Sequence, residues 1–258
     1  MQQHIIALSN QKGGVGKTTC TRELGIYLAS TGKRVLVIDT DPQGNLTKSL
    51  LDELEPGLYE ALSGNLFTFP VGYPGMHILC GDVRLALLEK SLIGEMDAYT
   101  RVREILEHEL FQNFDYILFD TPPSLGVLTI NALTAAQHVI IPMNPSLYSM
   151  QGTNDLMATI AKVKKNFNPG LNLAGVIINA FDSVPVITRQ IREEIRSSFG
   201  ELVFSTVLSK SIRVEEAIAS KTGLIDSICK LKDEVALLGT ELMIRVGDWS
   251  APSSAEVV

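Results

Sequence analysis

Residues 11–19 read Gln-Lys-Gly-Gly-Val-Gly-Lys-Thr-Thr and follow, after two polar residues, the apolar run Ile5–Leu8, which is typical of a buried strand. Glycines between a strand and a helix let backbone N–H groups point inward and hold phosphate oxygens, because glycine tolerates positive φ angles and has no side chain in the way. Lys17 can neutralise the β- and γ-phosphates, and the Thr18 hydroxyl can ligate Mg²⁺. The spacing predicts a nucleoside triphosphate site that includes Gly13, Gly14, Val15, Gly16, Lys17, Thr18 and Thr19.

Carboxylates end two apolar runs that are typical of buried strands. Asp39 follows residues 35–38, and Asp120 follows residues 116–119. An aspartate at the end of a central strand emerges at the same edge of a parallel sheet as the phosphate loop, where it can hold a water of the Mg²⁺ shell. Asp120 is therefore the predicted Walker B residue. The alternative is that Asp120 caps the helix that follows.

Strand and helix patterns alternate along the whole chain, and this predicts a doubly wound, mostly parallel α/β sheet flanked by helices, with its site at the carboxyl ends of the strands. We expect one P-loop domain over residues 1–247 and a disordered tail over residues 248–258. The predicted strands are Ile5–Leu8, Arg34–Asp39, Met76–Cys80, Tyr116–Asp120, Val139–Pro142, Leu173–Ala180 and Val203–Leu208. The predicted helices are Thr18–Thr31, Leu58–Leu62, Thr100–Leu110, Ser149–Phe167, Val184–Phe199 and Lys230–Arg245.

Composition excludes several classes of protein. The three cysteines form no CxxC pair, which argues against a disulfide framework or a zinc site. The chain has neither a signal-peptide pattern nor an apolar run long enough to span a bilayer, so we expect a soluble cytoplasmic protein. The net charge of −7 is unevenly distributed, because residues 160–213 carry +4 and the remainder carries −11.

The phosphate loop departs from the usual G-x-x-x-x-G-K-[ST] template at its first position, which is Gln11, and has a second lysine at Lys12. This variant resembles the deviant Walker A motif of the ParA/MinD family of partitioning and positioning ATPases. The resemblance implies that Lys12 reaches across a dimer interface to the nucleotide of the other subunit, so that ATP binding is coupled to homodimer formation. The alternative for Lys12 is a solvated surface lysine beside an ordinary P-loop.

Two further segments are similar to the switch loops of that family. Residues 39–45, Asp-Thr-Asp-Pro-Gln-Gly-Asn, resemble the first switch, and residues 120–123, Asp-Thr-Pro-Pro, resemble the second. The resemblance implies ATP and Mg²⁺ as cofactors and slow intrinsic hydrolysis. The implied catalytic residues are Lys12, Lys17 and Asp41, with Asp41 orienting the attacking water. The implied metal residues are Thr18, Asp39 and Asp120.

Asn179 ends the apolar run 176–178, and the resemblance implies that its amide recognises the adenine ring. A turn-forming asparagine is the alternative. Further along, Ser209-Lys210-Ser211 stand where the resemblance implies proline–arginine–asparagine. Because of this departure, the resemblance does not identify the residues that face the base.

Within the family we favour an ATPase that partitions a plasmid or chromosome by binding DNA without sequence preference in its ATP state, with a ParB-type partner or analogous adaptor and a nucleoid-associated location. The candidate DNA-binding residues are Arg189, Arg192, Arg196, Lys210 and Arg213. A solvated helix face paired with Glu193 and Glu194 is the competing interpretation.

Two other functions compete with partitioning. A membrane-positioning ATPase resembling MinD would need an amphipathic, basic carboxyl terminus, which residues 247–258 do not provide, and we predict no membrane partner. A metabolic enzyme with the same loop, such as an amide-forming ligase or the iron protein of nitrogenase, would need a second substrate pocket or cluster cysteines, and the sequence indicates neither.

Overall fold

The computed structural model of the protein describes residues 3–146, 151–182 and 184–248. Within them the chain forms one eight-stranded sheet, with strand order β3-β4-β2-β5-β1-β6-β7-β8. Only β3 is antiparallel to its neighbour among these described strands. The strands are β1 His4–Leu8, β2 Val35–Asp39, β3 Val71–Tyr73, β4 Met76–Leu79, β5 Tyr116–Asp120, β6 His138–Met143, β7 Asn172–Phe181 and β8 Val203–Ser209.

Helices cover both faces of the sheet, and the predicted doubly wound, mostly parallel architecture is confirmed. They are α1 Lys17–Ser30, α2 Asn45–Leu50, α3 Leu58–Leu62, α4 Arg84–Leu92, α5 Arg101–Leu106, α6 Val127–Ala135, α7 Gln151–Asn166, α8 Val186–Phe199, α9 Arg213–Ala219 and α10 Lys230–Arg245. Residues 149–150 of the predicted helix before β7 lie outside the described residues, as do residues 249–258 of the predicted tail. Asp248, the first residue of that tail, accepts a hydrogen bond from the Tyr116 hydroxyl at 2.7 Å.

The core has two layers, one on each face of the sheet, because successive strand residues point to opposite faces. Ile6 and Leu8 of β1 face α1 and α10, whereas Ala7 faces the helices of the other layer. The predicted apolar face of α10 is buried against the first layer. It consists of Leu231, Val235, Leu238 and Leu242.

One predicted helix is wrong in its second half. We expected a helix over Thr100–Leu110, but α5 ends at Leu106 and a 3-10 turn spans Glu109–Asn113. The break occurs at His108, whose backbone is extended (φ −64°, ψ 139°) and whose ring accepts a hydrogen bond from the Leu110 amide. This change of direction buries Phe111 completely in the core.

Strand register brings the polar strand ends together. Asp120 at the end of β5 is the register partner of Leu8 on one side and of Asp39 on the other. The segment after β1 carries the phosphate loop, and it therefore begins beside Asp120, with Asp39 one strand further away. This edge of the sheet is the site that the sequence predicts.

Candidate active site

The phosphate loop leaves the first turn of α1 open. Gly16 lies at the helix N-cap with φ +91°, no side chain caps the helix, and its first turn contains no acidic residue. Gly14 also has a positive φ of +71°. The first N–H groups of a helix have no intrahelical acceptor, and their partial positive charge favours an anion. The local geometry is thus that of a phosphate site at a helix terminus.

The two lysines of the loop have different surroundings. Lys17 is buried, and its ammonium group lies 3.4 Å from the backbone oxygen of Lys12. Burial lowers the pKa of Lys17, while Asp120 and Asp41 oppose that shift. The Lys12 side chain is half-buried and donates from Nζ to the hydroxyl of Ser146, three residues after the end of β6.

Asp120 and Asp39 are fully buried carboxylates on adjacent strands. Thr18 donates from its hydroxyl to Asp120 Oδ2 at 2.6 Å, whereas Asp120 Oδ1 is buried without a protein partner. Burial, with the neighbouring Asp39 next in importance, raises the pKa of Asp120 well above its usual range. A buried carboxylate with one unpaired oxygen beside a threonine hydroxyl has the oxygen donors that Mg²⁺ prefers.

The described residues include no cluster of three His, Cys, Asp or Glu side chains that could hold a metal without further ligands. A Mg²⁺ ion at this edge would therefore need oxygen atoms from elsewhere, and nucleotide phosphates and waters usually complete such sites. The orphaned oxygen of Asp120 and the Thr18 hydroxyl fit this donor set.

Asp39 organises the loop after β2. One of its oxygens accepts from the Asp41 amide at 3.1 Å, and the other accepts from the Thr47 amide at 2.9 Å and the Thr47 hydroxyl at 2.8 Å. Burial raises the pKa of Asp39 to about 6. Asp41 itself accepts from the Gln43 amide at 2.9 Å and lines the concavity beside Lys17. The predicted first switch is thus a loop that Asp39 holds in a defined shape.

Two concavities share the phosphate loop. The first, which we call the phosphate concavity, is lined by Gly13, Lys17, Thr18, Asp41 and Lys48 among others. The second, which we call the nucleoside concavity, joins Gly14, Gly16 and Thr19 to the ends of β7 and β8 and the start of α9. The charged groups suited to phosphate chemistry line the first concavity, and we predict that the nucleoside of a bound nucleotide lies in the second.

Asn179 lies at the junction of the two concavities. Its amide nitrogen donates to the Val15 backbone oxygen at 3.0 Å, so the residue stabilises the phosphate loop as well as lining the nucleoside concavity. A Cβ atom on Gly16 would lie 1.9 Å from this amide nitrogen, and this close approach requires glycine there in addition to its positive φ. The following residue, Ala180, has a left-handed backbone with φ +51°.

Two charged residues beneath the nucleoside concavity were missed by the sequence reasoning. Glu234 on α10 accepts from both the amide and the hydroxyl of Ser209 at 2.7 Å. Arg22 on α1 is completely buried and donates to the Thr222 backbone oxygen at 2.8 Å. The available signal was an Arg-Glu pair at positions 22–23 inside a helix that must be buried against the sheet.

The five predicted DNA-binding residues do not form one uninterrupted patch. Arg189, Arg192 and Arg196 lie along α8, while Lys210 lines the nucleoside concavity. Several of them have partners within the chain. Arg192 pairs with Glu193 at 2.7 Å and stacks on the Phe181 ring, Arg196 donates to the Ser205 oxygen at 3.4 Å, and Arg213 pairs with Glu216 at 2.7 Å. The pairing interpretation of this helix face is thus observed for Arg192 with Glu193, and the DNA contact stays a prediction.

Among the described residues, no helix combines the length and apolar character that crossing a membrane requires.

Comparison with known proteins gives consistent matches. The family described as AAA domain matches residues 3–173. The chromosome-partitioning ATPase Soj of Thermus thermophilus is 41% identical over 215 residues, which cover 82% of this chain and 83% of the relative. The chromosome partitioning protein ParA of Caulobacter vibrioides is 34% identical and covers 97% of each chain.

One solved structure is similar in both sequence and fold. It is described as cobyrinic acid a,c-diamide synthase of Mycobacterium smegmatis with bound ADP and magnesium. Its TM-score is 0.76 at 33% identity, and the match covers 84% of this chain and 93% of that one. A related chain therefore holds a nucleotide and Mg²⁺ on the same fold.

Proposed function

The chain belongs to the Soj/ParA family of chromosome-partitioning ATPases, and on that premise we propose that it hydrolyses ATP in a Mg²⁺-dependent dimer that binds DNA without sequence preference. The observation that carries the proposal is the uncapped N-terminus of α1 beside a buried aspartate with an unpaired oxygen. The first feature suits phosphates, and the second suits a cation that accompanies them.

Hydrolysis in this site depends on positioning and electrostatics. Lys17 neutralises the terminal phosphates, and Asp41, in the loop that Asp39 holds, orients the attacking water. Thr18 and Asp120 would hold Mg²⁺, which when bound offsets charge on the β- and γ-phosphates. No covalent step on the protein is required, so removal of one positioning carboxylate lowers turnover without abolishing nucleotide binding.

Lys12 is proposed to act in trans. In the free protomer its ammonium group bonds with Ser146, so it is already held near the phosphate loop by a weak neutral partner that a triphosphate can outcompete. Sedimentation with ATP tests this role. An Asp41→Ala variant should accumulate as a dimer, and adding Lys12→Ala should return it to the monomer. An Asp41→Ala/Lys12→Ala protein that remains fully dimeric would contradict the role of Lys12.

DNA binding is proposed for the arginines of α8, of which Arg189 and Arg196 are exposed and Arg192 is half-buried. Retention on nonspecific DNA should require ATP, should weaken with salt, and should fall about tenfold or more in Arg192→Glu, since phosphate contacts dominate such binding. Lys232→Glu is the matched control, because it reverses the same charge at an exposed position on α10. Equal retention with ADP, or an equal loss in both variants, would count against this surface.

The remaining parts of the proposal come from the family. We propose a cytoplasmic, nucleoid-associated protein whose turnover is accelerated by a ParB-type centromere-binding protein or an analogous adaptor, with a plasmid or chromosome as cargo. Relatives that are 34–41% identical carry chromosome-partitioning names, and this supports the assignment. The MinD-like alternative is less well supported, because the apolar face of α10 is already buried in the core.

A second candidate function is supported by the related structure whose description names a diamide synthase. An amide-forming enzyme of that kind would couple ATP cleavage to glutamine and a carboxylic acid acceptor. Turnover of ATP that rises when glutamine and a polycarboxylate acceptor are added would favour it. Turnover that rises only with DNA and an adaptor would favour partitioning.

A further inference from the structure

The nucleoside concavity has one wall that comes from a single stretch of chain. This stretch, which we call the base wall, comprises residues 209–215, between the end of β8 and the first turns of α9. Ser209, Lys210, Ile212, Val214 and Glu215 all line the concavity. Ile212 is 67% exposed, and the apolar contact of the wall with the core comes from the half-buried Val214.

The first end of the base wall is attached to α10. Glu234 accepts from the Ser209 amide and hydroxyl, both at 2.7 Å, and forms an ion pair with Lys230, also at 2.7 Å. Because Glu234 is buried, these charge-assisted bonds hold Ser209 in one position. The amide of the next residue, Lys210, donates to the Phe181 oxygen at 3.0 Å and ties the wall to β7.

The helix that continues the base wall, α9, is attached to α1. Arg22 donates to the Ala217 oxygen at 3.3 Å and to the Thr222 oxygen at 2.8 Å, which lie in the last turn of α9 and in the turn that follows it, two and seven residues beyond the wall. Glu23 forms an ion pair with Arg22 and accepts from the Leu224 amide at 2.8 Å. Both side chains are almost fully buried, which makes the contact costly to form and rigid once formed.

Arg22 is five residues beyond Lys17 on the same helix. The first turn of α1 lines the phosphate concavity, and its next turn holds α9, the helix that continues the base wall. A rigid helix therefore sets the distance between the two halves of the nucleotide site. Both terminal nitrogens of the Arg22 guanidinium are bonded within the chain, while its Nε is buried without a partner.

We propose that Arg22 with Glu23, and Glu234 at the other end, are positioning residues that hold the base wall at the spacing a nucleoside requires. The inference rests on the proposed function, since it assumes a nucleotide in this site. It deepens that function by assigning nucleoside affinity to contacts that buried charged side chains make outside the concavity. None of these three residues touches the nucleotide.

The test compares ADP with inorganic triphosphate, because only ADP has a nucleoside. The variant is Arg22→Met/Glu23→Leu, since replacing a whole buried ion pair by apolar residues is often neutral for stability. We expect its affinity for ADP to fall about tenfold or more, the scale seen when supporting contacts of a site are removed, with triphosphate affinity changed less than about twofold. A cooperative thermal unfolding transition is the control that each variant is folded.

Glu234→Ala tests the opposite end independently and should also lower ADP affinity selectively. Glu241→Ala is its matched control. Glu241 is on the same helix and accepts from the Ser205 amide of the same strand at 2.9 Å, but four residues before the base wall. Glu241→Ala should leave the ratio of ADP to triphosphate affinity unchanged.

The outcomes separate the two levels of the proposal. Wild-type protein that binds neither ligand would overturn the proposed function, and with it the positioning role of Arg22, Glu23 and Glu234. Wild-type protein that binds both ligands, with folded variants that keep the wild-type ratio of the two affinities, would overturn the positioning role alone. Equal losses for ADP and triphosphate would assign Arg22 and Glu234 a general structural role and would also overturn it.

Discussion

The two halves of the nucleotide site differ in whether their buried charges have oppositely charged partners. In the phosphate half, Asp39 and Asp120 are fully buried next to each other, and Asp120 retains an oxygen without a partner. In the nucleoside half, the buried charges neutralise one another, as Arg22 does with Glu23. Like charges that repel each other destabilise the free protein and are compensated by a cation, whereas paired charges already have their compensation.

This difference offers a way to assign roles. Buried charges without protein partners mark the place where a ligand completes the site, because the protein alone leaves them unfavourable. Buried charges in pairs mark contacts that fix the backbone. Replacing a buried charged side chain by a neutral one should therefore have opposite effects on the free energy of unfolding in the two halves.

The largest effect is expected in the phosphate half, for Asp120→Asn. Turnover should fall about a hundredfold or more, because the carboxylate that supports the metal is lost. The free energy of unfolding of the ligand-free protein should rise by about 1 kcal/mol, since a buried, repelled charge is removed. Steady-state kinetics and urea unfolding measure the two quantities. A variant that is less stable than wild type would break the comparison between the halves.

The next effect is expected in the nucleoside half, for Glu23→Gln. This change leaves Arg22 buried without its counter-ion, and such losses typically cost about 3–5 kcal/mol. Urea unfolding should therefore show strong destabilisation, opposite in sign to Asp120→Asn. A change below about 1 kcal/mol would show that the pair contributes little to the folded state.

A third effect concerns pH. Burial raises the pKa of Asp39 to about 6, above its ordinary value in an unfolded chain. The stabilising contribution of a group with a raised folded-state pKa is present below the unfolded pKa and is lost as pH rises through the folded pKa. Without Mg²⁺, the wild-type protein should lose stability relative to Asp39→Asn between about pH 4 and about pH 7. A constant difference between the two proteins across this range would contradict the assignment.

The smallest effect is expected where a charge of the nucleoside half reaches the surface. The Lys230 side chain is 79% exposed, although it pairs with Glu234 at 2.7 Å. Lys230→Met should change the free energy of unfolding by no more than about 1 kcal/mol, because solvent screens exposed pairs. A larger loss of unfolding free energy, measured by urea unfolding, would show that Lys230 stabilises the protein as strongly as a buried ion pair does.

Sequence reasoning was most reliable where residue type and chemistry coincide. The strand Tyr116–Asp120 and the helices Leu58–Leu62 and Lys230–Arg245 have the predicted bounds. The phosphate loop and the aspartates at the strand ends meet at one edge of the sheet because parallel strands bring their carboxyl ends together. The location of Asp120 at this edge could be predicted from its position at the end of one apolar strand.

The sequence reasoning missed elements whose signal is not local. Helix α6 is largely buried, including Leu128, Thr129 and Ala132, and so has no clear polar face to mark its period. Arg22 appeared as one charge in a helix, and its role depends on Thr222, which is 200 residues away in the chain. Ser209 replaces a family proline, and only the structure shows that its amide is used by Glu234.

The central claim, that one protomer completes its neighbour's site, is tested most directly by mixing two inactive proteins. A Lys12→Ala protomer keeps Asp41, and an Asp41→Ala protomer supplies Lys12, so a mixed dimer contains one complete site. An equimolar mixture should recover turnover that neither protein has alone, because a mixed dimer has one working site of two; random pairing would give roughly a quarter of the wild-type value. A mixture with no more activity than its separate components would show that Lys12 acts within its own protomer and would contradict the account.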